Sequence, residues 1–496
     1  MRRLPIPTRR RAATGAAVIA AFALAGCGSR HSATVQVVVI DDVAAPFGSG
    51  ARLSTAAGAV RAATTEGLVA FDAQGRIVPA LADRWIVTDD GRSYIFRLRD
   101  GTWPDGSPIT GESARTALRR ALAGLRGTPL ALDLAGTDDI RVMAGRVIEI
   151  RLPRAMPDLL QLLGQPELGL VWRGKGNGPM RLSRDGAAAV LTPIAPEKRG
   201  LPAVAGWEAA TVRLAALPAA QAVARFNAGD ADVLLGGQIQ DFPLARSVGL
   251  IRGGIQPDPV TGLFGLAVLH DDGFLALPEN REAIAMAIDR AALIAPFGLS
   301  GWQATTRMVA PGTTDDDGTV GERWAGLSMA ERRSEAARRI ARWRDRSQRE
   351  GPVQVRIALP PGPGADVLFE RLADDLRQIG IEARRTRAGA DADLRLVDVV
   401  ARYPGRAWYL NQLSCVARRG LCSADADAEV SAARAAPDRA QAIALLADAE
   451  ATLTKANVFI PFGAPLRWSL VRGSARGFAA NHWAIHPLMP MATPPN

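Results

Sequence analysis

The sequence predicts an α/β protein, and three stretches carry that prediction. Val35-Gln36-Val37-Val38-Val39-Ile40 is a β-branched run with the composition of a strand. Short apolar runs alternate with turns between residues 77 and 99, which gives a β-rich segment. Near residues 353–383 a strand, an amphipathic helix and a second strand follow one another, the order of an α/β layer.

Each element has a local cause. Asp89-Asp90-Gly91 separates Trp85-Ile86-Val87 from Tyr94-Ile95-Phe96, a turn between two apolar runs that reads as a hairpin. Thr110 is placed to cap a helix that runs through Leu122, with Glu112 in its first turn facing the positive end of the dipole. Asn280 to Arg290 has apolar residues on nearly every face, the mark of a buried helix. Residues 328–349 show helical period with eight arginines against three acids, which predicts a solvated face. Val353 to Leu359 is a strand, residues 367–379 form an amphipathic helix closed by Gly380, and Ile381-Glu382-Ala383 opens the next strand.

The chain of 496 residues is 48% hydrophobic and 22% charged, which excludes a disordered tail and a multi-span membrane protein. Its net charge of +10 invites nucleic acid or an anionic surface as a partner. Half of that excess, Arg2, Arg3, Arg9, Arg10 and Arg11, lies in the first 26 residues, which contain no acid, so their removal leaves +5. No RNA or DNA motif accompanies the remaining arginines, and no nucleic-acid partner is expected. Gly174-Lys175-Gly176-Asn177-Gly178-Pro179 lacks the Lys-Ser/Thr ending of a phosphate loop, and Pro179 followed by Met180-Arg181-Leu182 points to a strand.

The amino terminus reads as an export signal: a basic segment, an apolar stretch over residues 12–23 too short to span a bilayer, and Leu24-Ala25-Gly26-Cys27. The last four residues resemble the lipobox of bacterial lipoproteins. That resemblance implies cleavage of residues 1–26, a lipid on Cys27 and a short tether at residues 27–34. The body would then be exported to a periplasm or cell surface and held to a membrane without spanning it. In an oxidising compartment the remaining cysteines, Cys415 and Cys422, can pair. No Cys-x-x-Cys spacing or neighbouring His favours a metal pair instead.

Several elements occur together in a recognisable order. They are Glu66-Gly67-Leu68-Val69, Ile77-Val78-Pro79-Ala80-Leu81-Ala82 with Trp85, Asp90-Gly91, Tyr94 to Gly101, and Trp103-Pro104-Asp105-Gly106-Ser107-Pro108. They are followed by Ala222 to Val233 and by Asn280 to Arg290. Together these resemble the family 5 extracellular solute-binding proteins, the dipeptide, oligopeptide and nickel receptors of ABC importers. The resemblance implies an α/β, two-lobed periplasmic-binding-protein fold with an extra β-rich domain, its lobes hinged about a ligand cleft. It places a discontinuous first-lobe domain at residues 35–64, 175–262 and 476–496, a β-rich insertion at 65–174, and a second lobe at 263–475. It also implies a monomer that binds a peptide or other small solute and works with permease and ATPase subunits, with no cofactor and no enzymatic activity.

The sequence departs from the family at one informative place. Peptide receptors of this family carry an Asp-Tyr-x-Asp-Pro segment after a strand, whose first Asp pairs with the amine of the peptide. Aligned without gaps from Asp393-Leu394, that position holds Arg402, within Ala401-Arg402-Tyr403-Pro404-Gly405. An ammonium facing Arg instead of Asp loses its partner and meets a like charge, which predicts an acidic or N-blocked solute. Two readings stand: Arg402 receives an anion in the cleft through its guanidinium fork, or the loop has rearranged and Arg402 points to solvent. Asp398, Tyr403, Trp408 and Trp302 are further candidates to line the cleft, each with plain packing as the alternative.

No catalytic constellation is present: there is no Gly-x-Ser-x-Gly elbow and no His-Glu-x-x-His. His482 and His486 are four apart, a spacing that shares a metal on a helix, but Pro487 and the Gly/Ala/Asn flank predict extended chain, so no metal site is assigned. Two alternatives to peptide import remain open at this level. One is a diverged receptor acting as an envelope scaffold or chaperone; the other is nickel or metal-chelate binding.

Overall fold

A computed structural model describes residues 34–205, 207–246, 254–348, 350–387 and 391–492. The expected export signal and Cys27 lie outside the described residues.

The strand Thr34–Ile40 sits at the centre of a seven-stranded sheet, parallel to both Thr211–Leu217 and Val233–Gly237. Neighbours on both edges and packing on both faces explain its continuous run of valines. The hairpin Met180–Asp185 and Ala188–Pro193 extends the sheet on one side. Arg467–Val471 and Gly254–Asp258 close the other side. This last pairing corrects an expected boundary. The chain returns to the first sheet at Arg467, ahead of residue 476, because Arg467–Val471 hydrogen-bonds to Val233–Gly237 and Gly254–Asp258 and to no strand of the second sheet.

A second, five-stranded sheet has the order Ile381–Arg387, Val353–Leu359, Leu394–Val400, Gly262–Val268, Phe459–Gly463. All seven residues of Gly262–Val268 are buried. At Gly265 a Cβ would come within 2.2 Å of the Ile460 carbonyl oxygen, so only glycine lets the neighbouring strand approach. The parallel strands Val353–Leu359 and Ile381–Arg387 are joined by the helix Pro363–Arg377, the expected crossover.

Between the strands of the first sheet is an insertion. Ala82–Val87, Ser93–Leu98, Val147–Arg151 and Asp139–Ala144 form a four-stranded antiparallel sheet, with Gly91 at a left-handed φ of 65° in the turn of its first hairpin. The helix Gly111–Gly124 starts at Thr110, whose side chain accepts from the Ser113 N–H while Ser113 reaches back to the Thr110 N–H. The helix Pro278–Ala287 is buried from Asn280 onward, charged residues included. Arg281 donates to the Leu275 and Ala456 carbonyls, and Glu282 accepts from Arg323 and Arg339, so these charges are compensated. Met329–Ser347 is the solvated helix the arginines predict, with only Ala336 and Ile340 buried.

One core runs from the first sheet (Val38, Leu234) to the second (Leu266, Ile357). Another joins the insertion (Phe96, Leu118) to the opposite side of the second sheet (Leu263, Val397). Cys415 and Cys422 form a disulfide. Their loop docks on the second sheet through the Leu421 N–H, which donates to the Val268 carbonyl at 2.7 Å. Among the described residues no helix is long and apolar enough to cross a membrane.

Candidate functional site

The two sheets and the insertion enclose a cleft of about 240 Å³. Ser54, Thr55 and Ala59 line it from the first lobe's helix Thr55–Thr64 and the cap before it; Gln165 and Glu167 come from the insertion. Val399 to Arg402 line it from the end of a second-sheet strand, Arg467 to Ser469 from the returning strand, and Trp483 to His486 from the carboxyl-terminal segment. Every part of the fold therefore meets here.

Three internal pairs organise its charge. Arg402 grips Glu167 with both prongs of its fork, at 2.6 Å from Nη2 and 3.0 Å from Nη1, and Nη1 also donates to Gln165 Oε1 at 2.7 Å. The Glu167 side chain is 5% exposed and that of Arg402 30%. Burial pushes the Glu167 carboxyl up, but Arg402 outweighs it and holds the group below the usual carboxylate range. Burial likewise pulls Arg402 down, and Glu167 more than offsets that. Behind the lining, Arg467 donates to Asp398 Oδ1 at 2.7 Å and ties the first sheet to the second. Burial leaves the Asp398 carboxyl above its ordinary value despite Arg467. At the far end Asp258 Oδ2 meets His486 Nε2 at 3.2 Å, and Asp258 Oδ1 accepts from the Asn481 N–H at 2.9 Å.

Two polar atoms of the lining residues have no hydrogen-bond partner among the described residues: Ser469 Oγ and His486 Nδ1, both buried. The His486 ring packs on Phe478, centroids 4.7 Å apart. His482, by contrast, is exposed and bonded through Nδ1 to the Pro259 carbonyl. Among the described residues no group of three His, Cys, Asp or Glu side chains is placed to hold a metal ion.

Beside the cleft, the insertion touches the second lobe again. Asp133, buried in the insertion, accepts from Tyr403 Oη at 3.0 Å and from Asn411 Nδ2 at 2.7 Å. Burial outweighs both bonds and pushes its carboxyl up to about 7.

The residues predicted to line the cleft are dispersed. Arg402 reaches it, with Nη1 and Nη2 held by the protein's own Glu167 and Gln165. Tyr403 points away into the contact with Asp133. Asp398 lies behind the lining, held by Arg467. Trp408 is fully buried, edge-on to Tyr409 at 4.9 Å, and serves packing. Trp302 donates to the Ala464 carbonyl at 2.9 Å and lies against Gly463. Glu167, Asp258, Ser469 and His486 were not foreseen as lining residues; the last carried a signal only as one of two spaced histidines.

Comparisons with known proteins bear on the insertion and the fold. Residues 76–187 match the family model described as bacterial extracellular solute-binding proteins, family 5 Middle. A probable deoxycholate-binding periplasmic protein of Escherichia coli is 33% identical over 121 residues, 21% of this chain and 23% of the relative. The periplasmic murein peptide-binding protein MppA of the same organism is 27% identical over 263 residues, 45% of this chain and 47% of the relative. The matched stretches thus span from about a quarter to about half of these relatives' length. The solved structure of the Escherichia coli murein tripeptide-binding protein superposes with a TM-score of 0.75 at 18% identity, covering 93% of this chain and 97% of the other. That of Haemophilus influenzae OppA, in complex with the peptide RPPGFSPFR, gives 0.75 at 16%, covering 92% and 98%. At such identities the superpositions establish the fold: α/β, two-lobed, of the periplasmic-binding type. Residues 76–187 thus match the bacterial extracellular solute-binding proteins of family 5, and the chain over its length shares the fold of the periplasmic binding proteins on which it superposes.

Proposed function

We propose that the protein is the solute receptor of an ABC importer, exported, anchored to a membrane by a lipid on Cys27, and active as a monomer without enzymatic activity. It captures a small peptide-like solute in the cleft and presents it to the permease and ATPase subunits. The observation that carries this reading is the cleft itself, assembled from both lobes and the insertion. A solute that touches all three favours the closed arrangement by its differential affinity, and closure is the signal a membrane partner can read. The peptide bound in the similar Haemophilus influenzae structure, and the murein tripeptide-binding protein that the chain also resembles, support a peptide-like solute.

Small-angle scattering of the full-length protein in detergent, before and after addition of a mixture of di- and tripeptides with free and capped ends, tests this. A fall in the radius of gyration with a rise in melting temperature is expected, since a ligand at a hundred times its Kd stabilises by about 2.7 kcal/mol. An unchanged radius and melting temperature contradict the receptor reading.

A further inference from the structure

We infer that the solute carries an anionic oxygen group, and that Arg52, Arg395, Arg402 and Arg419 receive it where the cleft runs out along the second sheet. This rests on the receptor function proposed above and names the class of solute and the place of its charge.

The first observation is where the chain puts these side chains. Arg52 immediately precedes Leu53, Ser54 and Thr55 of the lining, and Ala51 packs on the core shared by the insertion and the second sheet. Arg402 is itself in the lining. Arg395 and the lining residue Val399 share the alternation of the strand Leu394–Val400, so their side chains leave the same face of the sheet. Arg419 comes from the loop closed by Cys415 and Cys422, which is pinned on the neighbouring strand Gly262–Val268. The Leu421 N–H donates to the Val268 carbonyl, and a Cβ on Gly420 would run into the same oxygen. Ala267 lies opposite Arg395 across that pair of strands, and Arg395 Nη2 donates to the Arg419 carbonyl.

The second is the shortage of counter-charge. Among the described residues no carboxylate pairs with Arg52, Arg395 or Arg419; Arg395 is bonded to a carbonyl, and Arg419 Nη2 donates to the neutral Gln412 side chain at 2.8 Å. Burial, and then the charges of Arg52, Arg395 and Arg402, push the Arg419 guanidinium down to about 10. The acids within reach of Arg402 are Glu167, which it grips, and Asp133, which holds its proton up to about pH 7. Four guanidiniums thus face one full negative charge. Like charges gathered in a half-buried place repel one another more than they would in water, and an oxyanion taken from solution offsets that.

The third is donor capacity. Of the five N–H groups of Arg402, three go to Glu167 and Gln165, which leaves Nε–H and one Nη2–H. Planar guanidinium edges of this kind match the paired oxygens of a carboxylate or a phosphate. Arg52 is exposed, so the group is reached from solvent, while Arg395, Arg402 and Arg419 are half-buried behind it.

Isothermal titration of the full-length protein in detergent with three pools of di- and tripeptides is the test. The pools share their sequences except at one position, which holds glutamine, glutamate or phosphoserine. At least one anionic pool should bind about tenfold more tightly than the glutamine pool, the effect of a charge-assisted hydrogen bond. Which anionic pool does so separates carboxylate from phosphate as the group received. Arg52→Gln and Arg419→Gln should each weaken that pool by about threefold or more and leave the affinity of the glutamine pool unchanged. Arg52 is exposed, so Arg52→Gln decides the matter even where Arg419→Gln disturbs its loop. Equal binding of the three pools, or an anionic preference that survives Arg52→Gln, overturns the inference and leaves the receptor reading standing. Absence of binding by every pool also overturns it, while the receptor reading is then decided by the scattering experiment.

Discussion

Arg402 and Glu167 stand 235 residues apart in the chain and meet as a two-pronged ion pair. Arg402→Ala strands a buried carboxylate, and unfolding in urea at pH 7 should show a loss of about 1.5–3 kcal/mol, the usual worth of hydrogen bonds to a charged group. The double variant Arg402→Met/Glu167→Gln should recover most of it; a double variant as unstable as the single contradicts the pairing. Because Glu167 titrates below its unfolded value, this stability is present at neutral pH and lost as pH falls through the folded value. Asp133 has the opposite sign. Its folded carboxyl holds the proton up to about pH 7, whereas the unfolded chain releases it near 4, so its contribution falls as pH rises across that window. Asp133→Asn should therefore melt at a higher temperature than the parent at pH 8 and equally at pH 4; parallel pH profiles contradict this. Arg402 was legible in the sequence because it replaces a family residue at a motif position. Glu167 was not, because only the docking of the insertion on the second lobe makes it a neighbour.

At the scale of elements, local signals carried well wherever they were dense. The hairpin around Gly91, the Thr110 cap and the buried helix from Asn280 each have a turn residue, a capping oxygen or an apolar face that acts within a few residues. The strand Arg467–Val471 was assigned to the wrong lobe because a short apolar run shows that a strand forms, not which sheet receives it. The loop closed by Cys415 and Cys422 docks against Val268 in the second sheet. Replacing both cysteines by serine should cost about 2–3 kcal/mol on the loop-closure model, read as a lower melting temperature in oxidised protein only. An equal loss on adding reductant to the serine variant would show that the effect lies elsewhere.

For the whole molecule, the elements that resemble the family foretold the two-lobed architecture, while the contents of the cleft depended on contacts among seven separated segments. Half of the net charge that first suggested a polyanionic partner lies in the first 26 residues. The charged side chains that meet at the cleft pair with one another: Arg402 with Glu167, Arg467 with Asp398, His486 with Asp258. The most direct measurement is native mass spectrometry of the protein recovered from the envelope of the cell that exports it. The account predicts a one-to-one complex with a small peptide-like solute. A protein that flies without any solute, and gains none when di- and tripeptides are added, would contradict it.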